Sequence, residues 1–317
     1  MSVITPVLNE QDCVEAFHQR TTAALARCEL DGYEIVYIDD GSTDRTPSIL
    51  AGLAGMDPHA KVLTLSRRFG HHPAVFAGLE FATGDVVVII DADLQDPPEL
   101  IAQLIAERDK GYELVFAQRT EPPGGGMLLR MFKRQFRRVM RAIAYIDFPD
   151  NVGVFSAMDR SLKDLLLSMP ERERYLVAMQ MYLGFRVGFV PYVRADRHGG
   201  TPKQDLRRLL RLGMNSIFSY SSLPLRFSVV ACLSCLLLAL VGMAFVLYSK
   251  LVMGTAIVGW ASVMAAVLGM GAIQLFSLWI LSEYVDRIFE NVKGRPYFIV
   301  RQRAGDQGVA SAGQEPT

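Results

Sequence analysis

Two stretches of this chain, residues 227–248 and 251–282, carry no charged side chain, and Lys250 is the only charge between them. A helix needs roughly 20 apolar residues to cross the hydrocarbon core of a bilayer, and each stretch meets that length. The sequence therefore predicts a hairpin of two membrane-spanning helices over 226–282. A pair of buried soluble helices is the alternative, but such lengths exceed those of ordinary core helices. Of the 317 residues, 50% are hydrophobic, and these stretches hold the excess. Trp260 and Trp279 fall inside them, as membrane-facing aromatics do.

Charge placement orients the hairpin. Arg207, Arg208, Arg211 and Arg226 precede it, and Arg287, Lys293, Arg295, Arg301 and Arg303 follow it. The positive-inside bias then puts both ends in the cytoplasm. A strand is expected almost at Met1, so no signal peptide is expected before it. The expected location is integral to a membrane, a bacterial inner membrane, with both termini cytoplasmic. The net charge is zero, which conceals a local basic run at helical spacing: Arg130, Lys133, Arg134, Arg137, Arg138 and Arg141. Leu128, Met131, Phe132, Phe136 and Val139 are interleaved with it. Such a segment suits either an anionic membrane surface or an ordinary solvated helix face. Cys13 and Cys28 would sit in a reducing compartment. Cys232 and Cys235 form a CxxC inside an apolar stretch with no second ligand pair, so packing explains them better than zinc.

The first half alternates apolar runs (3–8, 34–39, 61–66, 85–91, 113–118) with helix-like segments near 11–28, 45–55, 73–82 and 98–110. That alternation predicts an α/β fold, a mostly parallel sheet with helices on both faces. A further strand is expected over 185–193. Asp96-Pro97-Pro98-Glu99 offers an N-cap aspartate, a proline and a glutamate three residues on. The expected organisation is a catalytic domain over 1–204, a juxtamembrane amphipathic segment over 205–225, the hairpin over 226–282, and a C-terminal segment over 283–317 with a disordered tail.

Polar clusters follow each of the first five expected strands: Asn9-Glu10, Asp39-Asp40-Gly41-Ser42, Ser66 to His72, Asp91-Ala92-Asp93 and Arg119. In open parallel sheets the carboxyl ends of the strands form the ligand crevice. Asp91 and Asp93 stand at i and i+2 at the end of an apolar run, so a strand end would point both carboxylates the same way. Two such groups can share a hard cation with diphosphate oxygens, with Gln95 nearby as a further ligand. Asp39 and Asp40 suit a base N–H or ribose hydroxyls, and equally suit a tight turn. His71 and His72 are expected to be structural rather than proton-transferring.

These strings carry a resemblance. Thr5 to Glu10, Asp39 to Asp44, Asp91-Ala92-Asp93-Leu94-Gln95-Asp96-Pro97-Pro98-Glu99 and Glu290 to Pro296 resemble the GT-A family 2 glycosyltransferases, in particular the polyprenyl-phosphate glycosyltransferase branch. The resemblance implies a GT-A fold and a UDP- or GDP-linked sugar donor. It implies Mg2+ or Mn2+ as cofactor, a polyprenyl (undecaprenyl or dolichyl) phosphate acceptor and a homo-oligomer. It places Pro6, Leu8, Glu10, Asp39 or Asp40 in the nucleoside pocket, and Asp91, Asp93 and Gln95 on the metal and diphosphate. Arg119 would meet phosphate, making Asp93 and Arg119 the catalytic pair. Arg197, Thr201 and Lys203 match the acceptor loop, with Arg130 alongside. Val154, Lys133 and Gln204 depart from the branch's usual residues, all on the acceptor side.

The implied reaction is an inverting displacement by a lipid phosphate oxygen. A phosphate monoester, with a second pKa of about 6, needs no strong base. Two other enzyme classes are disfavoured. No Q-x-x-R-W precedes either tryptophan, as a processive synthase would have. No G-x-G-x-x-G follows the first strand, as a dinucleotide enzyme would have. Nucleic acid is not an expected partner. A membrane-tethered nucleotide-sugar-binding scaffold remains the non-enzymatic alternative, and a transferase using a different lipid acceptor the enzymatic one.

Overall fold

In the computed structural model the described residues are 1–120, 149, 151–171, 174–193 and 259–305, with scattered positions between 230 and 251. They divide between two compact units, one of Met1–Arg130, Ile146–Pro202 and Arg295–Thr317, the other of Met131–Tyr145 and Lys203–Gly294.

Among the described residues the first unit holds one sheet. Its described strands are β1 (Ser2–Val7), β2 (Glu34–Asp39), β3 (Ala60–Leu65), β4 (Val86–Ile89), β5 (Leu114–Arg119), β6 (Val152–Asp159), β7 (Val187–Tyr192) and β8 (Val300–Ala304), in the order β7-β5-β6-β4-β1-β2-β3-β8. The connecting helices are α1 (Val14–Leu25), α2 (Thr46–Met56), α3 (His71–Phe81), α4 (Ile101–Arg108), α5 (Arg160–Ser168) and α6 (Leu176–Tyr182). β1 pairs in parallel with β2 and β4, and β2 with β3. Parallel strands need crossovers, and α1 to α3 supply them.

Successive side chains of a strand face opposite sides of the sheet, and here both sides are apolar. Val3, Ile35, Tyr37 and Val88 pack with Phe17 of α1, Leu50 of α2 and Leu104 of α4. Ile4, Val36, Ile38 and Val87 pack with Phe76 of α3 and Leu162 and Leu166 of α5. Burying each such side chain contributes about 1.5–3 kcal/mol, so the sheet is the shared floor of two cores.

Two strands were not expected from the sequence. β6 is antiparallel to both β4 and β5 and lies between them. β8 is antiparallel to β3 and forms one edge of the sheet. Thus part of the expected C-terminal tail segment is a strand of the first unit. Antiparallel insertion has a consequence for the site, because the start of β6 and the start of β8 lie at the same edge as the ends of the parallel strands.

In the second unit, α7 (Trp260–Val292) is a helix of 33 residues. Leu275, Leu278, Leu281, Val285 and Ile288 on it are exposed. Among the described residues no helix is both long and apolar enough to cross a membrane. Most of the first expected span, residues 252–258 of the second, and the basic segment over 130–141 lie outside the described residues.

The opposite edge of the sheet is closed by Glu34. Its Oε1 accepts from Ser2 Oγ (2.5 Å), Thr83 N–H (2.7 Å) and Thr83 Oγ1 (2.8 Å), while Lys61 Nζ lies 2.7 Å from Oε2. Burial alone would raise the pKa of this carboxyl. The bonds from Lys61, Ser2 and Thr83 outweigh it and bring the pKa down to about 2. The group therefore stabilises the fold above the usual glutamate range, and that contribution is lost as pH falls toward about 2. Glu34→Ala should lower the unfolding free energy at neutral pH by about 2–3 kcal/mol. Denaturation of both proteins across pH should show the gap closing as the solution is acidified.

Candidate active site at the carboxyl edge

The ends of β1 and β2 are laced together. Asn9 takes a left-handed φ of 55°, which turns the chain so that its N–H donates to Ser42 Oγ (3.0 Å) and its Oδ1 accepts from Thr43 N–H (2.9 Å). Glu10 N–H donates to Thr46 Oγ1 (2.9 Å), and Ser42 N–H donates to Asp39 Oδ1 (2.9 Å). Pro6 is tolerated inside β1 because the pairing with β4 stops at Ile4, so no ladder bond requires its missing N–H. Pro6, Leu8, Glu10 and Asp39 are thus gathered at one loop pair.

Asp40 reaches the next loop instead. It is buried, and its two oxygens accept Phe69 N–H (2.6 Å) and Gly70 N–H (2.9 Å). Gly41, at φ 77°, lies under that loop, where a Cβ would come within 2.8 Å of Arg68 N. The clamp fixes the start of α3 and sets His71 Nε2 3.5 Å from Asp91 Oδ1.

β4 stops at Ile89, and Ile90 N–H makes a last bond to Ile4 O (3.0 Å). Asp91 and Asp93 therefore stand in a turn beyond the strand, not on its end as expected. Leu94 at φ 56° drives that turn, and Gln95 N–H donates to Asp93 Oδ1 (3.1 Å). The two carboxylates remain neighbours. Burial raises the pKa of Asp91, His71 opposes this, and the charges of Asp93 and Asp96 add to the rise against Arg119. A buried carboxylate whose ionisation is disfavoured, with a second carboxylate beside it, fits a bound cation. Among the described residues no three histidine, cysteine or acidic side chains form a metal cage. Two carboxylates and an amide match the sparse protein ligation of a magnesium-type ion that keeps phosphate and water oxygens.

Asp96 does not cap a helix. The chain enters α4 through a 3-10 turn, Pro98–Leu100, without a side-chain cap. Asp96 is fully buried and faces Arg119 instead. Arg119 Nη2 donates to Asp96 Oδ2 (3.4 Å), Arg119 Nε donates to the Tyr192 hydroxyl oxygen (3.0 Å), and that hydroxyl donates to Asp96 Oδ1. Burial would lower the pKa of Arg119, but the Tyr192 hydroxyl and Asp96 raise it. Burial, with the bond to Asp96, pushes Tyr192 up to about 12, so its proton stays in place. Gly153, near the start of β6, leaves room for the guanidinium, since a Cβ there would lie 2.9 Å from Arg119 Nη2.

The Glycosyl transferase family 2 profile matches residues 2–166, from β1 through most of α5. The chain belongs to glycosyl transferase family 2. An uncharacterized glycosyltransferase of Bacillus subtilis is 34% identical to it over 304 residues, spanning 96% of this chain and 94% of that one. A prophage bactoprenol glucosyl transferase homolog of Escherichia coli is 34% identical over 302 residues, spanning 95% and 98%. Among solved structures, the glucosyl-3-phosphoglycerate synthase of Mycobacterium tuberculosis in complex with phosphoglyceric acid superposes with a TM-score of 0.50 at 25% identity. It covers 69% of this chain and 78% of that one. The sheet and its flanking helices are therefore a GT-A-like α/β fold.

In this glycosyltransferase the expected donor-side residues share one edge of one sheet. Arg130, Arg197, Thr201 and Lys203, and the departures Lys133 and Gln204, lie outside the described residues. Val154 lies in β6, half-buried against the α3 side of the core. Tyr192 joins this edge without having been expected there from the sequence. Its signal was its place at the end of β7, the position that marked the other clusters.

His72 is half-buried. Its ring stands edge-on to Tyr175 with centroids 5.5 Å apart, and its Nδ1 is buried without a hydrogen-bond partner. Burial, reinforced by His71, lowers its pKa to about 4. The folded state therefore takes up this proton less readily than the unfolded state, and stability is lost as pH falls from about 6.5 toward 4. Thermal unfolding against pH should show this loss, about 2–3 kcal/mol, and His72→Phe should remove most of it.

Proposed function

We propose that this glycosyltransferase moves a sugar from a nucleoside diphosphate, UDP- or GDP-linked, to a polyprenyl phosphate at a membrane surface, with inversion at the anomeric carbon. The observation that carries the reading is the meeting of Asp91, Asp93 and Arg119 at the carboxyl edge of the sheet, beside the loops of β1 and β2. A nucleoside would lie against Pro6, Leu8, Glu10 and Asp39, with Asp40 bracing the neighbouring loop from below, and a diphosphate would meet both the cation and the guanidinium. The relatives support the acceptor class, because bactoprenol glucosyl transferases are similar over nearly the whole chain rather than over the sugar-transfer domain alone.

Asp91, Asp93 and Gln95 would hold Mg2+ or Mn2+, which when bound offsets the negative charge gathering on the leaving diphosphate. Arg119 adds a fixed positive charge to the same oxygens. The attacking phosphate oxygen is already anionic at neutral pH, so the protein's task is to orient it and keep its charge from repelling the donor. Arg130, Arg197, Thr201 and Lys203 are assigned to that phosphate, arginine being suited to it by its paired donors. The charge-free stretches within 226–282, the exposed apolar side chains of α7 and the basic segment 130–141 support a membrane seat for the acceptor. The corresponding division is a catalytic domain over 1–204, an amphipathic segment over 205–225 and a two-helix hairpin over 226–282.

Labelled nucleotide sugar and undecaprenyl phosphate, supplied to the purified full-length protein, should yield a lipid-linked sugar, and chelator should stop the reaction. Asp93→Asn should lower kcat by at least about 100-fold with an unchanged melting temperature; retained turnover would remove the cation role. Lys203→Ala should raise KM for the lipid phosphate more than for the nucleotide sugar. Equal rises in both would count against the acceptor assignment.

A further inference from the structure

Arg119 is the last residue of β5 and Tyr192 the last of β7, and these strands are paired in parallel through to that very pair. Besides its hydroxyl bonds to Arg119 and Asp96, Tyr192 offers its carbonyl oxygen to Thr120 N–H (2.8 Å) and to Thr120 Oγ1 (2.9 Å). The ring is buried, with Phe155 of β6 standing edge-on at a centroid distance of 6.3 Å. A single residue thus touches the strand that carries Arg119, the inserted antiparallel strand, and the turn that carries Asp91 and Asp93.

A guanidinium on a long side chain has many rotamers, and fixing it costs entropy unless other groups already hold it. Here two of its nitrogens are held, Nε by the Tyr192 hydroxyl and Nη2 by Asp96. Nη1 has neither bond. Asp96 is a charged partner on the turn that would also hold the cation, so the guanidinium is oriented relative to the cation's own loop. Gly153 supplies the remaining constraint by leaving the face of the guanidinium clear.

We propose that Tyr192 is a positioning residue for phosphate recognition. With Gly153 and Asp96, it presets Arg119 so that the guanidinium meets the diphosphate of the donor without rearranging. The inference rests on the donor reading given above. It goes beyond that reading in assigning selectivity for diphosphate over monophosphate to a hydroxyl that touches no substrate.

The test uses full-length protein in detergent with magnesium and measures affinity for uridine and guanosine di- and monophosphates by calorimetry. Wild type should prefer the diphosphate of whichever base it binds. Tyr192→Phe keeps the buried ring and removes only the hydroxyl. It should shrink the diphosphate-to-monophosphate preference about tenfold, the scale of one charge-assisted hydrogen bond, with monophosphate affinity unchanged. Gly153→Ala should do the same by displacing the guanidinium, because its backbone admits alanine and the clash falls on a flexible side-chain end. Arg119→Ala should shrink the preference at least as far, leaving the part the cation supplies, and adding Tyr192→Phe to it should change nothing more. If Tyr192→Phe weakens both nucleotides alike, or adds its full effect on top of Arg119→Ala, the positioning role is overturned while the donor reading stands. If wild type itself fails to prefer a diphosphate, the donor reading is overturned.

Discussion

Parallel pairing has a geometric consequence that organises this whole protein. Strands that run the same way end at the same edge, so whatever follows each of them is delivered to one place. β1, β2, β3 and β4 bring Glu10, Asp39, His71 and Asp91 together without any of these residues being near another in sequence. The two apolar layers are what make that pairing obligatory. Ile4 and Val3 face opposite cores, and a slip of one residue would exchange them along with every other side chain of the strand. Chemistry at one edge thus depends on packing across both faces, and on the Glu34 network that closes the other edge.

At the carboxyl edge the loops hold one another rather than each holding itself. Asn9 and Ser42 join the first two, Asp40 joins the second to the third, His71 leans on Asp91, and Asp96 joins the fourth to the fifth through Arg119. Each link sets a buried or half-buried polar group against a backbone or charged partner. Such networks are rigid when satisfied and costly when broken. That rigidity is what an enzyme stabilising a developing charge needs, since donors that must first rearrange give back part of what they contribute.

Much of this was legible in the residues alone. The first five strands and the helices between them announced themselves through apolar runs and turn residues, because buried parallel strands are nearly continuous in hydrophobicity. β6 was not legible, since Ser156, Gly153 and Ala157 dilute its apolar run and no turn signal marks an antiparallel insertion. β8 was hidden for the opposite reason. As an edge strand with Arg301, Gln302 and Arg303 exposed, it looks like solvated tail. The carboxylate pair was expected on the strand end and instead lies in the turn beyond it, because a left-handed leucine at 94 leaves no trace in composition. Asp96 resembled a helix cap, and only the fold brings Arg119 and Tyr192 to it. No pattern along the chain could pair residues separated by 96 positions.

The positions of β7 and β8 carry one more consequence. They are the two outermost of the described strands, and all of 194–299 runs between them in sequence. A fragment trimmed at the apparent end of the sugar-transfer domain would be missing its final strand. The freed N–H and C=O groups along β3 would then invite self-association. Removing the long middle segment is therefore better done by joining 193 to 300 through a flexible linker than by a stop codon.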